Sequence, residues 1–406
     1  VSTMVDDPRL LQEQPGLAGF FTGLRRRVSQ GELGVLPVVV GLLVICVIFQ
    51  IANNNFLSAR NLTNLVLQIA ATGTIAVGVV LVLLLGEIDL SVGEVSGLCA
   101  AVMAVLNVNA GWPGPLAIAA GVLTGVGVGA VQGLWVTRFR VPSFVVTLAG
   151  LLAWQGLRLK VLGGTGTVNL TDATITDLAN RFLPNWAGWL VGLLCVAAYL
   201  GNLAISRRRR MAAGLRTPSW GAFGGQIAIV VIAVLGAVAI LNADRGVPLA
   251  VLFFLGFIVV FDLILRLTRF GRHTFAVGGN AEAARRAGIS VDGIRLSVFI
   301  LASALAACGG ILAASRLLAV NQSSGGGDVL LNAIAAAVIG GTSLFGGRGS
   351  VWAALLGALV IGAISNGMDL LALASSVKFM ITGGVLLLAV TIDAVSRRGR
   401  EAAGRA

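Results

Sequence analysis

Thr268–Leu296 reads TRFGRHTFAVGGNAEAARRAGISVDGIRL, a basic and polar island between two long apolar runs. Asn280 is placed to cap a short helix, Glu282 falls in its first turn where the helix dipole favours an anion, and Gly288 can end it. Two turns of helix between apolar runs cannot bury a core of their own. The segment is therefore either a linker or something that another protein holds.

Outward from the island, composition decides the class. The chain has 406 residues, is 57% hydrophobic and only 11% charged, against about 25% charged in a soluble domain. Its apolar runs approach the ~20 residues a membrane span needs and do not alternate as barrel strands would. The expected fold is all-α, a polytopic bundle of about twelve transmembrane helices over 35–52, 65–85, 92–108, 115–136, 142–160, 186–205, 226–243, 247–266, 296–315, 329–345, 350–366 and 370–391. Most of the 29 basic residues then fall in alternate loops, among them Arg138, Arg140, Arg207–Arg210 and the Arg266–Arg295 group. The positive-inside rule puts both termini, and the island, in the cytoplasm. The polar tail 1–34 ends near Arg25–Arg27, and no small-residue cleavage site follows the first span, which reads as an anchor rather than a signal peptide.

The net charge of +12 does not point to nucleic acid, because the basic residues sit in short loops between apolar runs. Cys46, Cys99, Cys195 and Cys308 each lie inside an apolar run without a CxxC pair, as packing residues do. Gly121, Gly125, Gly129 and Gly133 form one face of small residues for close helix approach. Gly341–Ser350 resembles a phosphate loop but lacks the Gly-Lys-Ser/Thr ending, and reads as a tight turn. His273, the only histidine, sits among arginines, and no catalytic constellation accompanies it. The chain is expected to hold no catalytic residue, cofactor or metal.

Charges at membrane depth are few. Ser91-x-x-Glu94 reads as a capping box opening the third span. For Glu87 and Asp89 two readings stand: they bind backbone N–H groups at the inner end of span two, or border a polar pathway. Asp262 and Arg266 are spaced to neutralise each other, and Lys378 either snorkels outward or meets a substrate. Gly86–Gly93 and Gly340–Gly347 echo each other weakly, as internal repeats of transporters do. Gly163–Asn185 and Asn321–Asp328 are the outer segments that a soluble partner can touch.

Phe56-Leu-Ser-Ala-Arg-Asn61, Glu87-Ile-Asp-Leu-Ser-Val-Gly93, Val141–Gly150, Phe270-Gly-Arg272, Gly278–Ile289, Ala337–Ser343 and Ser365-Asn-Gly-Met368 together resemble the membrane permease of bacterial ABC sugar importers of the ribose/xylose/arabinose group. The likeness runs from about Phe56 to Ser396, and the extra helix pair near 186–243 is similar to the xylose branch. The resemblance implies a permease domain over 35–393, flanked by cytoplasmic tails 1–34 and 394–406, that carries D-xylose or a related monosaccharide. It implies separate cytoplasmic ATPase subunits, a periplasmic sugar-binding protein and a second copy of the permease within the inner-membrane bilayer. It makes 268–296 a coupling loop in which Asn280, Glu282, Ala283, Ala284, Arg285, Arg286 and Gly288 meet the ATPase, with Arg285 and Arg286 paired to acidic groups there. The importer signature is matched only in its first half, since Val298-Phe-Ile stands where Ile-x-Leu-Pro would follow. A neutral sugar calls for hydroxyl, amide and aromatic groups, and Gln68, Glu87, Asp89, Trp154 and Asn366 are the candidates along the pathway. The rival reading is an ion-coupled secondary sugar transporter, which needs buried acids or broken helices. A non-transporting receptor is a second rival, and it would carry a sizeable soluble domain.

Overall fold

The computed structural model describes residues 36–214 and 220–402; the expected N-terminal tail, with Arg25–Arg27, and the last residues of the C-terminal tail lie outside them. Among the described residues the helices are α1 (Leu36–Ala52), α2 (Ala59–Leu84), α3 (Val92–Val108), α4 (Gly114–Arg138), α5 (Ser143–Leu162), α6 (Ala173–Asn180), α7 (Asn185–Ala212), α8 (Trp220–Asn242), α9 (Leu249–Leu267), α10 (Arg269–Gly279), α11 (Ala281–Arg286), α12 (Val291–Leu317), α13 (Asp328–Ile339), α14 (Trp352–Leu370) and α15 (Ser375–Ala402). Strands β1 (Thr167–Asn169) and β2 (Ala319–Asn321) pair antiparallel, Val168 opposite Val320. This small sheet stitches together the two segments expected to be separate outer loops.

Local chemistry explains where the helices begin. Pro113, Pro142, Pro184 and Pro248 stand immediately before α4, α5, α7 and α9, where a missing N–H costs nothing and a fixed φ favours the first turn. Ser58 starts α2 earlier than the apolar run alone suggests, its hydroxyl accepting from Asn61 N at 3.3 Å. The run expected over 329–345 is helical only to Ile339, because Gly340 and Gly341 turn the chain, Gly341 at φ +106°.

Helices α2, α4, α5, α7, α8, α9, α12 and α14 are long and apolar enough to cross a membrane, and the chain is a polytopic helical membrane protein. In α2 83% of the apolar window is buried, in α14 67% and in α12 61%, whereas α7 and α8 bury under a fifth. Helices α2, α12 and α14 thus lie at the centre, while the inserted α7–α8 hairpin stands at the periphery. The glycine face of α4 lies against the backbone of α12: a Cβ on Gly125 would sit 2.6 Å from Ser303 O and one on Gly129 2.5 Å from Phe299 O. Close packing of this face was legible in its spacing; its partner was not.

Two helices are short for a physical reason. Helix α13 has 12 residues, about 18 Å at 1.5 Å per residue, too short for a ~30 Å hydrocarbon layer. Its N-terminus lies inside the bundle, because Gly325, just before it, abuts Gly93 and Gly97 in the first turns of α3. Helix α3 also begins inside the bundle: Ser96 O lies against Gly310, well within α12. From this meeting point α3 runs to the end where Asn107 bonds Asp172 at 3.0 Å, and α13 runs the opposite way, to the turn where Gly346 meets Gly86. Each follows a long central helix and an irregular segment, α2 with 85–91 and α12 with 318–327. The two units run in opposite directions, and the two glycine-bounded segments Gly86–Gly93 and Gly340–Gly347 touch each other, Gly346 lying against Gly86.

Loop contacts sort the ends. At one end, which holds Arg140, Arg285 and Arg295, Glu87 pairs with Arg295 at 2.9 Å and Gly347 N donates to Leu84 O at 2.9 Å. At the other, Arg245 Nη2 donates to Asn64 Oδ1 at 2.8 Å, Leu170 N to Leu318 O at 2.8 Å, and Asn53 Nδ2 to Leu370 O at 3.2 Å. Asp172 caps α6 there; desolvation opposes its charge, but hydrogen bonds from Asn107, Thr174 and Gly114 overcome it and hold the carboxyl below the usual range.

Candidate functional site

The polar island folds as two helices rather than one. Thr268 caps α10, which leads directly into the short helix. Asn280 caps α11, its Oδ1 accepting from Ala283 N at 2.9 Å. Ala284 is buried, while Glu282, Ala283, Arg285 and Arg286 are exposed. The helix ends as its sequence implies: Gly288 has φ +81°, its N–H donates to Arg285 O, and Ile289 N donates to Ala284 O, the hydrogen-bond pattern of a glycine-terminated helix. Arg285 and Arg286 are paired within α11, to Glu282 at 3.0 and 3.2 Å. The two arginines share one carboxylate, which leaves a net positive charge on the exposed side of α11. Behind α11 the island is tied to the core, because Gly278 lies against Leu84 O at the end of α2 and leaves no room for a Cβ.

Beside α11 is a polar cavity of about 360 Å³ lined by Glu87, Thr137, Arg140, Ser143, Arg285, Asp292 and Arg295, among others. A second cavity, of about 270 Å³, lies where α3 and α13 begin, walled by α2, α12 and the 319–326 segment. Its polar lining includes Gln68, Thr72, Ser96, Arg316, Asn321, Ser323, Ser324, Asp328 and Asn332. One cation and one anion stand in it; every other polar group is an amide or a hydroxyl. The arrangement suits a neutral ligand rich in hydroxyls, which amides and hydroxyls bind without the cost of unpaired charge.

Of the five residues expected along a pathway, Gln68 lines this cavity and the other four lie elsewhere. Glu87 joins Arg295 at the arginine-rich end. Asp89 is buried and accepts from Ser91 N at 2.8 Å and Ser91 Oγ at 2.7 Å, which matches the backbone-binding reading. Trp154 packs against the core beside Gly150 and Gln132. Asn366 forms a reciprocal amide pair with Asn61, at 2.7 and 3.1 Å, that clamps α14 to the start of α2.

The expected capping box does not form. Ser91 Oγ donates to Asp89 and accepts from Gln132 Nε2 at 2.7 Å, and Glu94 turns instead to Arg158 at 2.7 Å. Arg158 is 1% exposed, and its Nη1 also donates to Ser324 O. This pair lies directly behind the cavity wall and fixes the 321–327 segment to α3 and α5. Asp262 and Arg266 pair as their spacing implies, at 2.8 Å; Lys378 pairs with Asp369. Sequence reasoning missed Asp328, Asn332 and Arg316. The available signal was Asp328-x-x-x-Asn332, an i,i+4 polar pair in an otherwise apolar run.

Irregular backbone and opposed half-helices around a polar cavity, buried in an apolar bundle, define a membrane permease. The chain belongs to the family described as branched-chain amino acid transport system / permease component, whose model matches residues 61–390. It is 40% identical over 382 residues to the xylose transport system permease protein XylH of Escherichia coli K12, covering 94% of this chain and 96% of that one. The protein of the same name from Haemophilus influenzae is 38% identical over 376 residues, 92% and 99% of the two chains. The ribose import permease protein RbsC of Bacillus subtilis is 32% identical over 373 residues, 92% and 96%. No solved structure matches the chain. It is a transport component rather than an enzyme.

Proposed function

We propose that this chain is the inner-membrane permease subunit of an ATP-driven importer for a monosaccharide, D-xylose foremost, working with cytoplasmic ATPase subunits, a periplasmic sugar-binding protein and a second copy of itself. The observation that carries the reading is the 270 Å³ cavity of amides and hydroxyls at the meeting point of α3 and α13. The xylose and ribose permeases among its relatives support the substrate class. All twelve apolar helices cross or enter the bilayer, with the arginine-rich end and both termini in the cytoplasm; the sorting of loop contacts into two ends supports this, as does the positive-inside rule.

Coupling enters through α11. It is short, capped at both ends and exposed on one side, and it passes directly into α12, which lines the cavity. Force applied to α11 therefore moves a cavity wall, whereas a flexible linker would dissipate it. Gly288→Val puts a branched residue at φ +81°, which costs about 1–3 kcal/mol locally and re-aims the end of α11. The expected result is normal membrane abundance with lost ATPase co-purification and at least tenfold slower uptake. Unchanged co-purification and uptake would remove α11 from the coupling role.

Broken helices are also what an ion-coupled transporter uses, but Glu94 at the start of α3 is paired with Arg158 rather than free for an ion. Reconstitution decides between the two. Sugar uptake into vesicles should require ATP, the ATPase and the binding protein, and uptake driven by an ion gradient without them would refute the importer reading.

A further inference from the structure

We propose that Glu87 and Arg295 form a latch that exchanges partners during transport, Glu87 passing to Arg140 and Arg295 to Asp292, so that movement of α11 frees the 85–91 segment and with it half-helix α3. The inference rests on the importer reading and deepens it. It makes Glu87, Arg295 and Arg140 positioning residues for transport, outside the central cavity.

The latch joins two parts that have to communicate. Helix α11 ends at Arg286 and α12 begins at Val291, so Arg295, in the first turns of α12, moves with α11. Glu87 stands in the irregular segment between α2 and α3, and α3 brings Ser96 and Gly97 into the lining of the central cavity. Hydroxyls of α5 also hold this segment, Ile88 N donating to Ser143 Oγ at 3.4 Å and Leu90 N to Thr147 Oγ1 at 3.1 Å. Its only ion pair among the described residues is that of Glu87 with Arg295, at 2.9 Å. Breaking it therefore uncouples the start of α3 from α12.

The 360 Å³ cavity beside α11 supplies the alternative partners. Three arginines and two acids line it: Arg140, Arg285, Arg295, Glu87 and Asp292. Arg285 turns to Glu282 on its own helix. The remaining four charges are two cations and two anions, yet one pair alone is made. Arg140 and Asp292 are exposed and form no ion pair with any described residue. Asp292 precedes Arg295 by three residues on α12, a spacing at which an acid and an arginine meet on one helix face. Arg140 lies in the turn between α4 and α5, which belongs to neither α11 nor α12. When the first turn of α12 draws away, Glu87 has Arg140 to turn to and Arg295 has Asp292. Both arrangements pair the latch residues, so the exchange strands no charge. Glu87 and Arg295 keep side-chain exposures of 15% and 27%, and water can reach both while partners change. Two arrangements of similar free energy are what a partner-driven switch needs, since the driving force then supplies only their difference.

The test uses complete transporters in liposomes, with ATPase and binding protein, and measures sugar imported per ATP hydrolysed. Arg140→Gln removes the waiting cation, and Arg140→Lys keeps it. All three residues meet the same backbone demand at φ +55°, so the comparison isolates charge. The expected ratio for Arg140→Gln falls about tenfold, within the range of couplings between two sites, with ATPase co-purification and folded yield unchanged. Arg140→Lys is expected to retain most of the ratio. A wild-type ratio in Arg140→Gln overturns the exchange, as does an equal loss in Arg140→Lys. Lost ATPase co-purification also overturns it, since Arg140 then belongs to the docking surface. The charge swap Glu87→Arg with Arg295→Glu gives a second reading, because it re-forms the latch but sets like charges against Arg140 and Asp292. Its ratio is expected to stay low, whereas a static ion pair would be restored, so a wild-type ratio overturns the exchange. Wild type that imports no sugar with ATP, ATPase and binding protein present refutes the importer reading instead, which separates the two failures.

Discussion

Arg158→Leu is expected to remove most folded protein from detergent extracts. Arg158 is 1% exposed and pairs with Glu94 at 2.7 Å, so the substitution strands a buried carboxylate, at a cost of about 3–5 kcal/mol. It also releases Ser324 O and with it the segment that walls the cavity. The double variant Glu94→Leu with Arg158→Leu should recover most of the folded protein, because removing both charges of a buried pair is often nearly neutral. It should not recover transport, since the 321–327 segment remains untethered. Size-exclusion chromatography after detergent extraction, together with uptake, measures both. If the double variant aggregates as badly as the single one, the pair matters through packing and not through charge.

Gly129→Val is the second large effect. The new Cβ would lie 2.5 Å from Phe299 O and 2.7 Å from Ile300 Cα, both on the backbone of α12. Backbone within a helix cannot turn aside as a side chain does, so α4 has to separate from α12. Overpacking of this kind typically costs about 1–3 kcal/mol where side chains can yield, and more is expected here. The measured outcome should be a collapse of thermal stability in detergent. By contrast Gly127→Val, on the open side of the same helix where a Cβ meets nothing within 4 Å, should be tolerated. Equal loss in both variants would mean that glycine serves the helix itself rather than its contact.

The site was legible only in part. Asn280, Glu282 and Gly288 reveal α11 because capping is a local matter: Oδ1 of Asn280 reaches an N–H three residues away, and Gly288 takes a left-handed φ without a Cβ to oppose it. Gln68 is the one pathway candidate that reaches the central cavity. Asn366 was equally plausible as a polar residue in an apolar run, yet its partner Asn61 stands at the far end of the chain's order and takes up its amide. Asn332 differs from Asn366 in sequence only by Asp328 one turn before it. What separates them in the fold is whether another helix brings a partner.

Sequence by itself determined the helical membrane class, the positions of nearly all apolar helices, the caps of α11 and the small-residue face of α4. These follow from hydropathy, from short-range hydrogen bonds and from steric rules that act within a few residues. The tertiary structure alone decided that α3 and α13 begin inside the bundle, that Glu94 leaves its helix start for Arg158, and that β1 finds β2. Each of those depends on contacts between residues distant in the chain. A buried charge or amide must find a partner in space, and that partner's place in the sequence carries no mark of the encounter.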